Sequence, residues 1–183
     1  MSLTTFIALL RGINVSGHNK IPMAELRSLC TELGWQNVQS YIQSGNLVFQ
    51  ANTTSVSLEA ELEQAIEQRF TLSIPVIVRA ATDWPTYLKS NPYPTQSQDE
   101  PNRVMLALSK ASPQLNAADE LQKRAVNDEH ITQVDDALWI YYGSGAGKSK
   151  LSPALFDKLI GSPMTMRNLR TVLKLDELTN HSS

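Results

Sequence analysis

The sequence predicts an α+β protein of two small lobes. Residues 1–80 should form a ferredoxin-like lobe of order βαββαβ, and residues 81–183 a mixed α+β lobe packed on the open face of the first lobe's sheet. Three observations lead there. Over the first eighty residues the apolar spacing switches regularly between a strand period and a helix period. The runs "FIALL" and "VIV" are apolar at successive positions, so their sheet must be buried on both faces, with helices covering one and something else the other. Residues 89–102, "KSNPYPTQSQDEPN", are polar, proline-rich and without periodicity, and read as a surface loop between the two parts.

Each element has its own signal. "TFIALL" (5–10) is an apolar strand. "PMAELRSLCTELG" (22–34) is a helix with Pro22 in its first turn, Gly34 past its end, and Met23, Leu26, Cys30 and Leu33 on one face. "VQSYIQ" and "NLVFQA" are short strands separated by Ser44-Gly45, a spacing suited to a tight hairpin. "SLEAELEQAIEQRF" (57–70) is an amphipathic helix, with Ser57 as its cap and Glu59, Glu61 and Glu63 placed to favour its positive end. "IPVIVRA" (74–80) closes the first lobe. In the second lobe, "RVMLALS" is a strand and "SPQLNAADELQKRAV" a helix. "HITQVDDALWIYYG" is a strand pair turning near Asp135-Asp136. "SPALFDKLIG" is a helix capped by Ser152 with Pro153 at its first position, and "TMRNLRTVLKLDEL" a last helix capped by Thr165. No internal repeat is visible.

Composition narrows the function classes. Apolar residues at 42% and charged residues at 19% describe an ordinary globular chain, and the net charge of −2 gives no global field toward nucleic acid or membrane. Locally, residues 143–174 carry Lys148, Lys150, Lys158, Arg167, Arg170 and Lys174 against Asp157 alone, which reads either as a solvated basic face or as an anion-binding surface. The single cysteine, Cys30, excludes an internal disulfide and a cysteine-based zinc site, and its place on an apolar helix stripe predicts a buried, inert thiol. His18, His130 and His181 lack metal-ligand spacing. The N-terminus has no basic segment before its short apolar run, and no stretch approaches the ~20 apolar residues of a membrane span. A cytoplasmic protein with no membrane partner is expected.

"YYGSGAGKSKLSP" (141–153) imitates the phosphate loop of nucleotide hydrolases. That loop needs G-x-x-x-x-G-K-[ST], and counting back from Gly147-Lys148-Ser149 places Tyr142 where the first glycine must stand. The helix also starts too late, at Ser152-Pro153. What remains is a glycine-rich segment with two lysines, suited equally to a flexible hairpin exit or to an anion.

The ferredoxin-like order makes a geometric prediction, because the exits of its first and second strands lie at one edge. "RGINVSGHNK" leaves the first and "QSGN" the second, so Arg11, Asn14, Asn19 and Lys20 should approach Ser44 and Asn46. Turn chemistry alone accounts for many of these Gly, Asn and Ser residues; Arg11, directly ending an apolar strand, needs a partner or a ligand. An RNA-recognition module is disfavoured, since "SGNLVFQA" supplies only Phe49 and no basic-Gly-aromatic signature.

Taken together and in order, "ALLRGINVSGHNK", "PMAELR", "YIQSGNLVF", "GKSKL" and "TMRNLRTVLKL" resemble the bacterial DUF1697 family, over nearly the whole chain. The resemblance implies a two-lobed α+β fold with a ferredoxin-like first lobe, and no established activity, substrate or cofactor. Its familiar runs fall on Arg11, Gly12, Ile13 and Asn14; on Gln43, Ser44, Gly45 and Asn46; on Ser149, Lys150 and Leu151; and on Thr165, Arg167 and Asn168. Leu169 stands where the family usually has tryptophan.

The reading that results is an anion-binding protein for a phosphorylated metabolite or nucleotide, whether or not it is an enzyme, with a site between the lobes. Arg11, Lys20, Lys148, Lys150 and Arg167 would hold the anion, while Asn14, Ser44, Asn46 and Asn168 orient polar groups. Arg167 draws particular notice: in the first turn of a helix capped by Thr165, a cation opposes the dipole unless an anion compensates. The rivals are a nucleic-acid-binding module using the basic C-terminal stretch and a non-catalytic interaction domain. No cofactor or oligomeric state is indicated. The loop spacing predicts that Mg-ATP and Mg-GTP are not hydrolysed. A phosphate-release assay checks this: turnover that vanishes specifically in Lys148→Ala would contradict it.

Overall fold

The computed structural model describes residues 2–180; His181 lies outside the described residues. The chain divides into two compact units. One holds the residues up to Pro85 together with those from Leu175 onward, and the other is Thr86–Lys174.

In the first unit the order is β1 (Thr4–Leu10), α1 (Met23–Glu32), β2 (Gln36–Tyr41), β3 (Asn46–Ala51), α2 (Ser55–Phe70) and β4 (Val76–Ala80). All its strands are antiparallel in the order β2-β3-β1-β4, as the ferredoxin-like reading requires. One sheet face, with Phe6, Ala8, Leu10, Leu47, Phe49, Val76 and Val78, packs against Leu26 and Cys30 of α1 and Leu58, Leu62 and Ile66 of α2. Burying each of those leucines contributes about 1.5–3 kcal/mol relative to exposure. The alternate residues Ile7, Leu9, Val48 and Ile77 are also buried, so both faces are covered, as the unbroken apolar runs demand. Burial, followed by the charge of Glu61, pushes the Cys30 thiol up to about 12, which makes it inert near neutral pH.

The cap of α2 is Thr54, not Ser57. Its extended backbone lets the side chain accept from the Ser57 N–H at 3.2 Å, so the helix begins earlier than expected. The glutamates thereby lie beyond the first turn and do different work. Glu63 and Glu59 accept from the Val76 and Val78 N–H groups at 3.0 and 2.9 Å, closing the outer edge of β4. Glu61 accepts from Trp35 Nε1 at 3.1 Å, which steadies a ring stacked on Phe49 at a centroid distance of 4.0 Å.

The second unit repeats this topology. After α3 (Trp84–Lys89) and α4 (Pro94–Asp99) come β5 (Val104–Ser109), α5 (Ala117–Arg124), β6 (Glu129–Val134), β7 (Ala137–Tyr142), α6 (Pro153–Ile160), β8 (Met164–Asn168) and α7 (Leu169–Asn180). The sheet order β6-β7-β5-β8, antiparallel throughout, is the order of the first sheet with each strand replaced by its counterpart. The equivalence extends to single bonds: Arg11 N–H donates to Pro75 O at 3.1 Å and Lys110 N–H to Pro163 O at 3.0 Å. Each proline stands four residues before an arginine, Arg79 or Arg167.

Three sequence expectations change in this unit, the first being that the helix expected from Ser112-Pro113 is confined to Ala117–Arg124. Residues 164–168 are a strand, because extended backbone is what pairs Thr165 with Leu108 and Arg167 with Leu106. The cap of α7 is accordingly Asn168, whose Oδ1 accepts from the Thr171 N–H at 3.1 Å, not Thr165. Residues 89–102 are not a plain loop: α4 and a 3₁₀ turn at Pro101–Arg103 lie over the β6–β7 pair. There Tyr93 Oη bonds Thr132 Oγ1 at 2.9 Å and Tyr141 Oη donates to Glu100. Tyrosines anchor what composition alone classed as loop. The expected Ser152 cap and first-position Pro153 of α6 are both in place, and Gly161 in the left-handed conformation ends the helix.

No helix among the described residues is long and apolar enough to cross a membrane. A fragment ending at Ala80 lacks Trp84 and Leu175, both fully buried and both within the first unit. It should bind hydrophobic dye and lose cooperative thermal unfolding; a sharp calorimetric transition from residues 1–80 would refute this.

Candidate functional site

The candidate site lies where the exits of β1 and β2 meet. After Leu10 the chain folds into a small hairpin, with Asn14 N–H donating to Asn19 O at 3.0 Å and His18 N–H to Val15 O at 2.8 Å. Ser16 and Gly17 both have positive φ, as primed turns require. Ile13 and Ile21, both buried, pin the two ends of the loop to the core. Asn14 then joins it to the second segment: its Nδ2 donates to Ile21 O at 3.0 Å and to Gln43 O at 2.8 Å, while its Oδ1 accepts from the Ile21 N–H at 2.9 Å. Asn19 Nδ2 donates to Gly12 O at 2.9 Å.

The second segment is the β2–β3 hairpin turn. Leu10 N–H donates to Gly45 O at 2.8 Å, and a Cβ at Gly45 would stand 2.8 Å from both Leu10 Cβ and Ile13 Cδ1. Glycine is needed there for close approach and for its φ of +89°. Asn46 is fully buried; its Nδ2 donates to Tyr41 O at 2.9 Å and to Ser44 Oγ at 3.0 Å. The expected convergence of Asn14 with the Ser44–Asn46 hairpin is therefore present. The carboxamides of Asn14 and Asn46, however, are committed to holding the backbone, which makes them scaffold for the site and leaves ligand contact to their neighbours.

Those neighbours surround an open pocket of about 430 Å³ lined by Asn14, Gly17, Lys20, Pro22 and Gln43. Lys20 is exposed, and among the described residues no carboxylate pairs with it. No acidic residue precedes Glu25 in the sequence, so Arg11 and Lys20 leave this end of the chain positive. The pocket is lined by the ammonium of Lys20 and by no carboxylate.

The glycine-rich loop of the second unit is built differently. Gly143 is required by crowding, since a Cβ there would meet Asp128 Oδ2 at 2.1 Å, and Arg103 donates to its carbonyl. The N–H groups of Gly145, Lys148 and Ser149 are spent on Tyr142, Gly145 and Ala146 carbonyls. Asn127 Nδ2 holds Lys148 O at 2.8 Å, and Ser149 Oγ donates to the buried Glu129 at 2.9 Å. With those amides spent within the loop, the segment lacks the full wrap of free N–H groups that a nucleotide-hydrolase loop turns toward a phosphate.

Lys148 and Lys150 are exposed at this loop, whereas Arg167 is buried on β8, across β5 from β7. Its Nη1 donates to Thr165 Oγ1 at 2.7 Å and to Met166 O at 3.0 Å, and desolvation lowers its pKa to about 10. The argument from a cation in the first turn of α7 thus falls, because Arg167 precedes that helix. Asn168 is occupied as the helix cap. In the same register row Trp139 Nε1 is a buried donor with no acceptor among the described residues.

Arg79 has no local sequence signal of its own. It is the counterpart of Arg167 and bonds the carbonyl of its own preceding residue in the same way, Nη1 to Val78 O at 3.1 Å. The signal was available in the paired spacings Pro75…Arg79 and Pro163…Arg167. Gln43 and Pro22, also missed as pocket residues, carry no chemical signature and are marked only by position.

A family model described as "Protein of unknown function (DUF1697)" matches residues 3–139. Comparison with curated proteins finds no match. Among solved structures, the conserved bacterial protein SP0830 from Streptococcus pneumoniae is similar at 24% identity, with a TM-score of 0.74 over 96% of this chain and 98% of that one. The likeness shows a shared fold.

Gly45→Ala should destabilise by roughly 2–4 kcal/mol, combining the left-handed backbone with overpacking against Leu10 and Ile13. Gly147→Ala, with nothing within 4 Å of its Cβ, should stay within about 0.5 kcal/mol of wild type. Urea denaturation of both variants checks the contrast; equal losses would refute it.

Proposed function

The chain belongs to the DUF1697 family of proteins of unknown function, and from that premise we propose that it binds a small anionic metabolite, phosphorylated or nucleotide-like, at the first unit's loop pocket. One observation carries this reading. Asn14 locks the loop to the β2–β3 hairpin through Gln43, and so holds open a pocket that presents Lys20 without a carboxylate to neutralise it. A loop already pinned to its neighbour favours binding, because little ordering is left to occur when the ligand arrives. The pocket offers no paired general acid and base, so binding is the function it supports.

A thermal-shift and calorimetric series with inorganic phosphate, nucleoside monophosphates and simple sugar phosphates tests the proposal at low ionic strength. Saturable stabilisation is expected, reaching about 2.7 kcal/mol at 100 times the dissociation constant. Lys20→Met should weaken binding about tenfold or more, equivalent to ~1.4 kcal/mol, without changing the melting temperature of the free protein. Identical affinity in Lys20→Met would overturn the assignment of the site. Oligonucleotide binding with steep salt dependence and no response to Lys20→Met would point instead to the basic C-terminal stretch.

A further inference from the structure

The first unit holds another cavity, lined by Leu3 just ahead of β1 and so at the opposite end of that strand from the loop pocket. It lies where the end of α1, the first residue of β2 and the turn from β3 into α2 meet, and its volume is about 270 Å³. Pockets for drug-sized ligands begin near ~300 Å³, so an occupant here is small. Leu33, Ala51 and Leu58 give the cavity an apolar wall continuous with the core. The exposed residues Gln36, Asn52 and Thr53 add hydrogen-bonding groups to its lining.

Trp35 and Glu61 meet in the same lining, Trp35 Nε1 donating to Glu61 Oε1 at 3.1 Å. Holding an indole N–H takes an acceptor but not a charge, and the side-chain carbonyl of glutamine would serve as well. The other glutamates of this part of the fold have their own work. Glu59 and Glu63 close the edge of β4, and Glu32 pairs with Arg69. The half-buried Glu61 is different: among the described residues no cation pairs with it, and no Lys, Arg or His lines the cavity. Its charge nevertheless reaches inward, since after burial it is the further cause that raises the Cys30 thiol. A carboxylate without a counter-ion beside an apolar wall attracts a cation, and does so more strongly than it would in open water.

Independently of the anion reading, we infer that this cavity is a second binding site, for a small organic cation: a primary ammonium or guanidinium on a short aliphatic stem. The carboxylate of Glu61 takes the charge. Leu33, Trp35, Ala51 and Leu58 take the stem, and the polar lining accepts the remaining N–H groups. A metal ion is a poorer match, because one carboxylate is too few ligands, and no cluster of three or more His, Cys, Asp or Glu suited to a metal occurs among the described residues. The two ends of the first sheet then carry sites of opposite preference, Lys20 at one and Glu61 at the other.

n-Butylammonium and n-butanol are the probes, one charged and one neutral on the same stem, titrated into the full chain at constant ionic strength. The readout is the assigned NMR signal of the Trp35 indole N–H. n-Butylammonium should shift that signal saturably and bind about tenfold or more tightly than n-butanol. Glu61→Gln keeps an acceptor for the indole, so its melting temperature should stay within about 2 °C of wild type. Its affinity for n-butylammonium should fall about tenfold or more, with n-butanol unaffected. Should Glu61→Gln fail to fold, Gln36→Lys decides: a lysine at an exposed lining position supplies a rival ammonium and should weaken n-butylammonium binding about fivefold or more. No saturable shift in wild type, or equal binding of the two probes, would overturn the cation site. Unchanged affinity in a folded Glu61→Gln, or in Gln36→Lys where that variant decides, would do the same. A saturable shift of the Trp35 signal by inorganic phosphate would also overturn it, by making the cavity an anion site.

Discussion

The carboxamide of Asn14 makes the bonds that a neighbouring strand's peptide group would make. It accepts from Ile21 N–H, donates to Ile21 O, and with its second hydrogen reaches Gln43 O. Loop residues 11–20 have no strand partner beyond the single bridge of Val15 to His18, so this side chain supplies the backbone satisfaction that a sheet would otherwise give. The rest of the site depends on it: the position of Lys20 after the loop, the contact with the hairpin, and the shape of the pocket.

The scaffold beneath is constrained by edge and face. In each unit the central strands are apolar on both faces, and each last strand lies at a sheet edge. For β4 the edge is closed by two glutamates of α2, an economical arrangement in which a helix packed on one face reaches around to satisfy the exposed amides. Arg79 and Arg167 occupy equivalent points of these edge strands, on the face turned away from the helices, and each folds back on the carbonyl before it. A buried guanidinium is disfavoured by desolvation, as the lowered pKa of Arg167 records. Arg79, its counterpart, is only half-buried and has a carboxylate, Glu59, at 4.0 Å.

The gaps in sequence legibility have specific causes. The first unit was readable because its strands and helices alternate in period and its turns carry Gly and Asn. The duplication was not, because the units share topology and a few bonds, such as Arg11 to Pro75 and Lys110 to Pro163, while their side chains diverge. Strand β8 was read as helix because "TMRNLRTVLKL" is a continuous run without a breaker; pairing with β5 overrides its local preference up to Asn168.

By itself, the sequence determined the apolar runs, the punctuation between them, and hence the strand–helix order of the first unit and the meeting of its two polar loops at one sheet edge. It also determined that "GSGAGKS" lacks the spacing of a phosphate loop. Only the tertiary structure decided what each polar residue does. Asn14, Asn46 and Asn168 became bonds within the fold, and Arg167 became buried. Lys20 was left at an open pocket. The physical reason is that a polar side chain's role depends on which partners come within about 3 Å of it, and those partners come from segments distant in the chain.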